Sequence, residues 1–288
     1  MSSATLAVPE RRPTSATYTR RALAHGVLIV GSLIFLFPFI WLLLLSFQTL
    51  QQFYLWPPKL IPDPWQFTNY PDALRLFDFG RYFWNTTYIT VLSLIGQATV
   101  SAMVAYSFAR LRWPLKNFWF IVMLATMMVP PQVTLIPLYI IWRDLKGLDT
   151  YWPLILPAYL GTAYYIFLAR QFFMTIPLEL EEAGRIDGAS TLDIIFRIMV
   201  PLSIPLMLTL SLFSVLSHWN DFFAPLLYLN TKSKFTLQLG LLVFRGQYDT
   251  DYPKMFAATA TIVMPIVAFF FVGQRYFIKS VVLSGLKG

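Results

Sequence analysis

Six stretches of twenty or more residues contain no Asp, Glu, Lys or Arg: 22–58, 82–109, 117–142, 150–169, 198–220 and 255–274. A helix needs roughly 20 apolar residues to cross the hydrocarbon core of a bilayer. A charge at its centre costs about 2.5–3.5 kcal/mol on the insertion scale. The pattern therefore predicts an all-α integral membrane protein with six transmembrane helices, about 22–47, 82–109, 117–142, 152–170, 203–227 and 255–275, in a membrane domain over 22–276. The fourth window is the weakest, because it carries Pro153, Pro157 and Gly161. Proline is tolerated in a span where neighbouring helices satisfy the freed carbonyls. Residues 1–21 read as a polar tail. They are not the start of a signal peptide, whose apolar core is about 7–15 residues and shorter than the run that follows.

Between the fourth and fifth windows the polarity reverses. Glu179 to Pro205 holds Glu179, Glu181, Glu182, Asp187 and Asp193, five of the fourteen acidic residues. The surrounding loop, 171–202, reads as two short helices. Pro177 suits a first helical turn, where a missing N–H costs nothing, and the three glutamates favour the positive end of the helix dipole. Glu181 and Arg185 stand at i,i+4 in the better orientation. Gly188 fits the position just past a helix end. Ser190 to Asp193 is a capping pattern that starts the second helix, about 191–199, before Pro201. Ala183, Gly184, Gly188 and Ala189 are small enough for another backbone to approach. A partner surface and a merely solvated helical hairpin both fit these residues.

Composition agrees with a membrane protein: 57% hydrophobic, mean hydropathy +0.60, and 12% charged against about 25% in soluble domains. There is no cysteine, which excludes disulfides and thiolate metal sites. The net charge of +8 would raise nucleic acid as a partner of a soluble chain. Here the cations matter for orientation, and no nucleic acid is expected. With the N-terminus inside, inside segments carry 13 Lys and Arg and outside segments 9. The sharper signal is Arg110-Leu-Arg112-Trp-Pro-Leu-Lys116, three cations in a short loop between two spans, a cytoplasmic pattern. It places 171–202 and the tail 277–288 in the cytoplasm as well.

No G-x-x-x-x-G-K-[ST] cradle for nucleotide phosphates occurs, nor H-E-x-x-H. His25 and His218 are far apart, so no metal site and no catalytic residues are expected. His218-Trp-Asn-Asp221 reads either as the end of the fifth span or as an ionisable cluster with a function. The spans lack the buried acids of ion-coupled carriers, which weighs against a stand-alone channel or secondary carrier. No motif supports a membrane-embedded enzyme.

Glu182-Ala-Gly-Arg-Ile-Asp-Gly188, followed after nine residues by Ile198 and then Val200-Pro201, resembles the E-A-A-x-x-x-G-x9-I-x-L-P loop of ABC importer permeases, with Gly184 and Val200 as mild departures. Further stretches resemble the maltose-type, six-span carbohydrate permeases: Phe37-Pro-Phe-Ile-Trp41, Asn69-Tyr70, Ala105-Tyr-Ser-Phe-Ala-Arg110, Met128-Val-Pro-Pro-Gln-Val-Thr134, Arg170-Gln-Phe-Phe173, Trp219-Asn-Asp221, Gln274-Arg-Tyr-Phe277 and Gly285-Leu-Lys-Gly288.

The resemblance implies a type I ABC importer permease fold. Glu182, Ala183, Gly184, Asp187, Gly188 and Ala189 would form the coupling helix that docks on an ATP-hydrolysing subunit. Gly285, Lys287 and Gly288 would reach the ATPase dimer, and 229–254 a solute-binding protein outside. It also implies a second permease subunit, two ATPase subunits, lipid around the spans, and a bacterial inner-membrane location. No cofactor is expected on this chain, with ATP and Mg on the ATPase subunits. Gln132, Thr134, Tyr164, Tyr165 and Asn220, polar or aromatic residues of spans three to five, are the candidates for the path of a sugar or related polar solute.

Overall fold

The computed structural model describes residues 15–245 and 250–285, with side chains from 21 to 274 within them. Among these residues the chain is helical, without a named strand. In order it forms α1 (Ser15–Ser46), α2 (Leu50–Phe53), α3 (Asn69–Leu76), α4 (Phe79–Ala109), α5 (Lys116–Ala125), α6 (Pro131–Asp144), α7 (Trp152–Tyr159), α8 (Ala163–Phe173), α9 (Leu178–Ile186), α10 (Thr191–Asp193), α11 (Val200–Leu202), α12 (Ile204–Trp219), α13 (Phe223–Tyr228), α14 (Leu237–Gly240) and α15 (Tyr252–Gly285).

Four stretches are long and apolar enough to cross a membrane: Arg21–Ser46, Phe79–Ala109, Trp152–Phe173 and Tyr252–Gln274. Two bent pairs raise the number to six if each is one span: Lys116–Met128 with Pro131–Asp144 at 97°, and Thr191–Leu202 with Ile204–Trp219 at 87°. Several boundaries differ from those expected. The first helix begins at Ser15 instead of 22. The window 117–142 is two helices, because Val129 and Pro130 are extended (ψ 116 and 132). Proline disfavours a helical residue before it, and here two follow in succession. The helix expected over 203–227 stops at Trp219. Asp221 then accepts the backbone N–H of Ala224 at 3.2 Å, opening the separate short helix α13.

α4 is the axis of the bundle, packed on α7, α8 and α12. At about 1.5 Å per residue its 31 residues run roughly 46 Å, longer than the hydrocarbon core. Close approach along it depends on small residues. A Cβ on Gly96 would sit 2.5 Å from the Tyr159 ring of α7. The break between α7 and α8 falls at Gly161, whose φ of +85° suits glycine. Beside it, Thr162 donates to the buried Gln97 at 3.0 Å, and Gln97 donates to Ser101 at 3.0 Å. The polar groups inside this part of the bundle thus satisfy one another. α15 packs on α1, α3 and α12. The N-terminal part of α1 is bare, with Leu28, Ile34 and Phe35 more than half exposed. Such a face is stable only against lipid or another apolar surface.

Candidate functional site: a hairpin at the C-terminal end of the central helix

The polar segment folds as a tight helical hairpin. Pro177 is the cap residue, extended at φ −55°, ψ 139°, and α9 follows directly. α9 ends in a complete Schellman motif. The Gly188 N–H donates to the Arg185 carbonyl (3.1 Å) and the Ala189 N–H to that of Gly184 (2.9 Å), with Gly188 left-handed at φ +82°. Ser190 and Asp193 then make a reciprocal capping box. The hydroxyl and backbone N–H of Ser190, together with Arg197 at 3.2 Å, hold the Asp193 carboxyl below its usual range. The second helix was expected to end before Pro201. It instead continues through a π turn, Ile194–Met199, to Leu202. A π turn takes one extra residue into the helix, and here that occurs immediately before the proline segment.

The two faces of the hairpin differ. Facing the bundle, Ile194, Ile195 and Met199 are buried against Ala105, Phe108, Ala169 and Phe173. Gly184 belongs to this inner side, since a Cβ there would lie 2.6 Å from Ile198. Its small size therefore serves the hairpin's own packing. Ala189 is half-buried against the same cluster. Glu182, Ala183, Asp187 and Gly188 are exposed, and nothing lies within 4 Å of a Cβ added to Gly188. Ile186 (86% exposed), Leu192 and Leu180 share the exposed side. Sequence reading did not single out these apolar residues. The signal was available in a large aliphatic residue next to Asp187 and Gly188, in a segment too polar to be a span.

Beneath the hairpin lies a charge cluster that sequence reading also missed. Glu181, with its side chain 5% exposed, accepts from the Tyr106 hydroxyl at 2.6 Å and from Arg185 at 2.9 Å. Arg110, 12% exposed, faces the other Glu181 oxygen at 3.6 Å. That is an ion pair too long for a hydrogen bond. Arg110 also donates to the carbonyls of Phe173 and Ile176, where a cation is favoured at the end of α8. One buried carboxylate thus joins α9 to the last turn of α4, and Arg110 joins both to α8. Only the Glu181–Arg185 spacing was visible in sequence, because Tyr106 is 75 residues away.

At the other end of α4, Asn85 donates to the carbonyls of Ser233 and Phe235 (both 2.9 Å), and Thr86 accepts the Leu237 N–H at 2.9 Å. Asp149 completes this clamp. It accepts from the hydroxyl and N–H of Thr231 (2.6 and 2.9 Å), the Asn230 N–H (3.0 Å) and the Lys234 ammonium (3.0 Å). These bonds, those of Thr231 foremost, hold its carboxyl well below the ordinary range.

The solute-path candidates each make local contacts. Gln132 borders a cleft of about 290 Å³ with Pro131, Leu135 and Phe223. Thr134 bonds back to the Pro131 carbonyl at 2.9 Å. Tyr164 and Tyr165 pack edge to face at 5.8 Å, with Tyr164 beside Phe213. Asn220 bonds to the Leu216 carbonyl and to Gln238. Gly285 ends α15, while Lys287 and Gly288 lie outside the described residues, as do 246–249 of the loop 229–254.

Membrane-length helices around one axis, with a polar hairpin presenting an exposed face, define an integral membrane protein of helical-bundle class. The chain belongs to the family described as "Binding-protein-dependent transport system inner membrane component", whose model matches residues 97–282. It is 33% identical over 264 residues to the diacetylchitobiose uptake system permease protein NgcG of Streptomyces coelicolor, covering 90% of this chain and 87% of that one. With the arabinooligosaccharides transport system permease protein AraQ of Bacillus subtilis it shares 30% identity over 261 residues, 89% of this chain and 92% of the relative. The sn-glycerol-3-phosphate transport system permease protein UgpE of Brucella abortus is 30% identical over 282 residues, 95% of this chain and 98% of that one. A crystal structure of a bacterial ABC transporter involved in the import of the acidic polysaccharide alginate contains a chain with the same fold. The TM-score is 0.77 at 23% identity, covering 94% of this chain and 100% of that one.

Proposed function

We propose that this chain is the membrane-spanning permease subunit of an ATP-driven, binding-protein-dependent importer for an oligosaccharide or a related polar solute. It forms half of the translocation path beside a second permease subunit. Two ATPase subunits carry ATP and Mg, and a solute-binding protein delivers the solute from outside. The relatives supply the solute class: two of the three serve oligosaccharide uptake systems by name.

The observation that carries the coupling role is the outer face of the hairpin. Glu182, Ala183, Asp187 and Gly188 are exposed around Ile186, on a helix fixed to α4 and α8 through Glu181 and Arg110. A motion imposed on that face reaches two membrane helices through a short buried linkage. The hairpin then lies in the cytoplasm with both termini, and the clamp at the N-terminal end of α4 lies outside with the loop 229–254. Gly285, Lys287 and Gly288 extend toward the ATPase dimer. Gln132, Thr134, Tyr164, Tyr165 and Asn220 line this chain's half of the path.

The test uses the assembled importer in proteoliposomes. Ile186→Asp combined with Glu182→Lys alters only exposed positions. We expect it to abolish co-purification of the ATPase subunits and solute-stimulated ATP hydrolysis. Unchanged hydrolysis would overturn the assignment.

A further inference from the structure

The turn between α4 and α5 carries a cationic cleft that the coupling role does not use. Arg112, Trp113, Leu115, Lys116, Asn117 and Phe118 line a cavity of about 460 Å³. Arg112 and Arg170 both lie within electrostatic reach of Lys116. Among the described residues no carboxylate pairs with any of the three. Lys116 donates to the Leu111 carbonyl at 2.9 Å, and Arg170 donates to the Phe108 carbonyl and stacks 4.1 Å over the Phe120 ring. These contacts engage neutral groups and leave the positive charge uncompensated. Trp113 lines the same cleft, and its indole N–H, withdrawn from solvent, has no protein acceptor. The cleft therefore offers donors and positive charge but no anion.

Its position selects the ligand. The cleft lies where one membrane-length helix ends and an apolar helix begins, which under the proposed arrangement of spans is the level of lipid headgroups. Leu115 (68% exposed), Phe118 (55%) and Trp119 (51%) surround it. An anion held here has apolar surface beside it for attached chains. Basic pockets between membrane helices bind lipid phosphates, and each nearby cation adds about 1 kcal/mol of attraction to an anionic surface. We propose that this cleft is a binding site for the phosphate headgroup of an anionic glycerophospholipid. Arg112 and Lys116 hold the phosphate, and the acyl chains run along Phe118 and Trp119. The ligand anchors the turn whose preceding residue, Arg110, grips Glu181.

The experiment is native mass spectrometry of the full chain in detergent, with phosphatidylglycerol, phosphatidylcholine or inorganic phosphate added in turn. The wild type should retain phosphatidylglycerol over phosphatidylcholine. Arg112→Gln with Lys116→Gln should lower that preference roughly thirtyfold. Arg112→Lys with Lys116→Arg should preserve it, which separates loss of charge from loss of fold. Equal retention of the two lipids by the wild type, or an unchanged preference in the double glutamine variant, would overturn the proposal. So would displacement of the lipid by millimolar phosphate, which would make this a free-phosphate site. Loss of ATPase binding with lipid retention unchanged would assign the patch to a protein contact and overturn it as well.

Discussion

The two ends of α4 are fastened by different chemistry. At the N-terminal end, Asn85 and Thr86 bond to backbone groups of 233–237, and the Asp149 carboxylate accepts four hydrogen bonds. The attachment is spread over several hydrogen bonds, the Asp149–Lys234 ion pair among them, and both Asp149 oxygens are engaged. At the C-terminal end the attachment converges on Glu181. One of its oxygens serves Tyr106 and Arg185, and the other faces Arg110 at 3.6 Å without a hydrogen bond. The first arrangement resists displacement in any one direction. The second centres on one buried pair, Glu181 and Arg110, and retains unused bonding capacity on both the acid and the base. Under the proposed coupling role this end moves while remaining attached, and the second arrangement suits that.

Substitutions should separate the two ends. Glu181→Ala leaves Arg110 buried without its anion, and breaking a buried pair in this way costs about 3–5 kcal/mol. The thermal unfolding midpoint in detergent should fall sharply, and Glu181→Gln should recover part of the loss by still accepting from Tyr106. Tyr106→Phe removes one hydrogen bond to a carboxylate, about 1.5–3 kcal/mol, read in the same assay. Gly188→Ala meets no neighbour but must adopt a left-handed backbone, at about 1–2 kcal/mol. Its effect should appear as faster amide exchange at Gly188 and Ala189, with the clamp at 230–237 unchanged.

The smallest effect is one of pH. The carboxyl of Asp149 is depressed by its bonds to Thr231, Asn230 and Lys234. Its stabilising contribution is therefore complete above the usual aspartate value of about 3.9 and is lost as pH falls through the lower folded value. Amide exchange over 230–237, corrected for its intrinsic pH dependence, should be constant from neutral pH down to about 4.5, well above that usual value. Protection lost near pH 6 would contradict the clamp.

Much of this was legible in the chain itself. The apolar windows marked the membrane helices, and Gly188, Ser190 and Asp193 marked the hairpin's turn, because caps depend on residues only a few positions apart. Features that depend on distant partners were not legible. Glu181 looked like one of several surface glutamates, and only the fold brings Tyr106 over it. Only the fold shows that Ile198 of its own hairpin packs against Gly184. Val129-Pro130-Pro131 carried a visible signal for a break, yet tolerated prolines in spans are common enough that the sequence alone did not require a 97° bend.

The proposed coupling role requires that the outer face of the hairpin receive a separate ATPase. The chain has no cysteine, so Ile186→Cys provides one exposed thiol at the centre of that face. Its labelling by a membrane-impermeant maleimide is measured in inside-out vesicles, with and without the ATPase subunits. Rapid labelling of the chain alone and several-fold protection with the ATPase bound are expected. Equal labelling in both preparations would contradict that role.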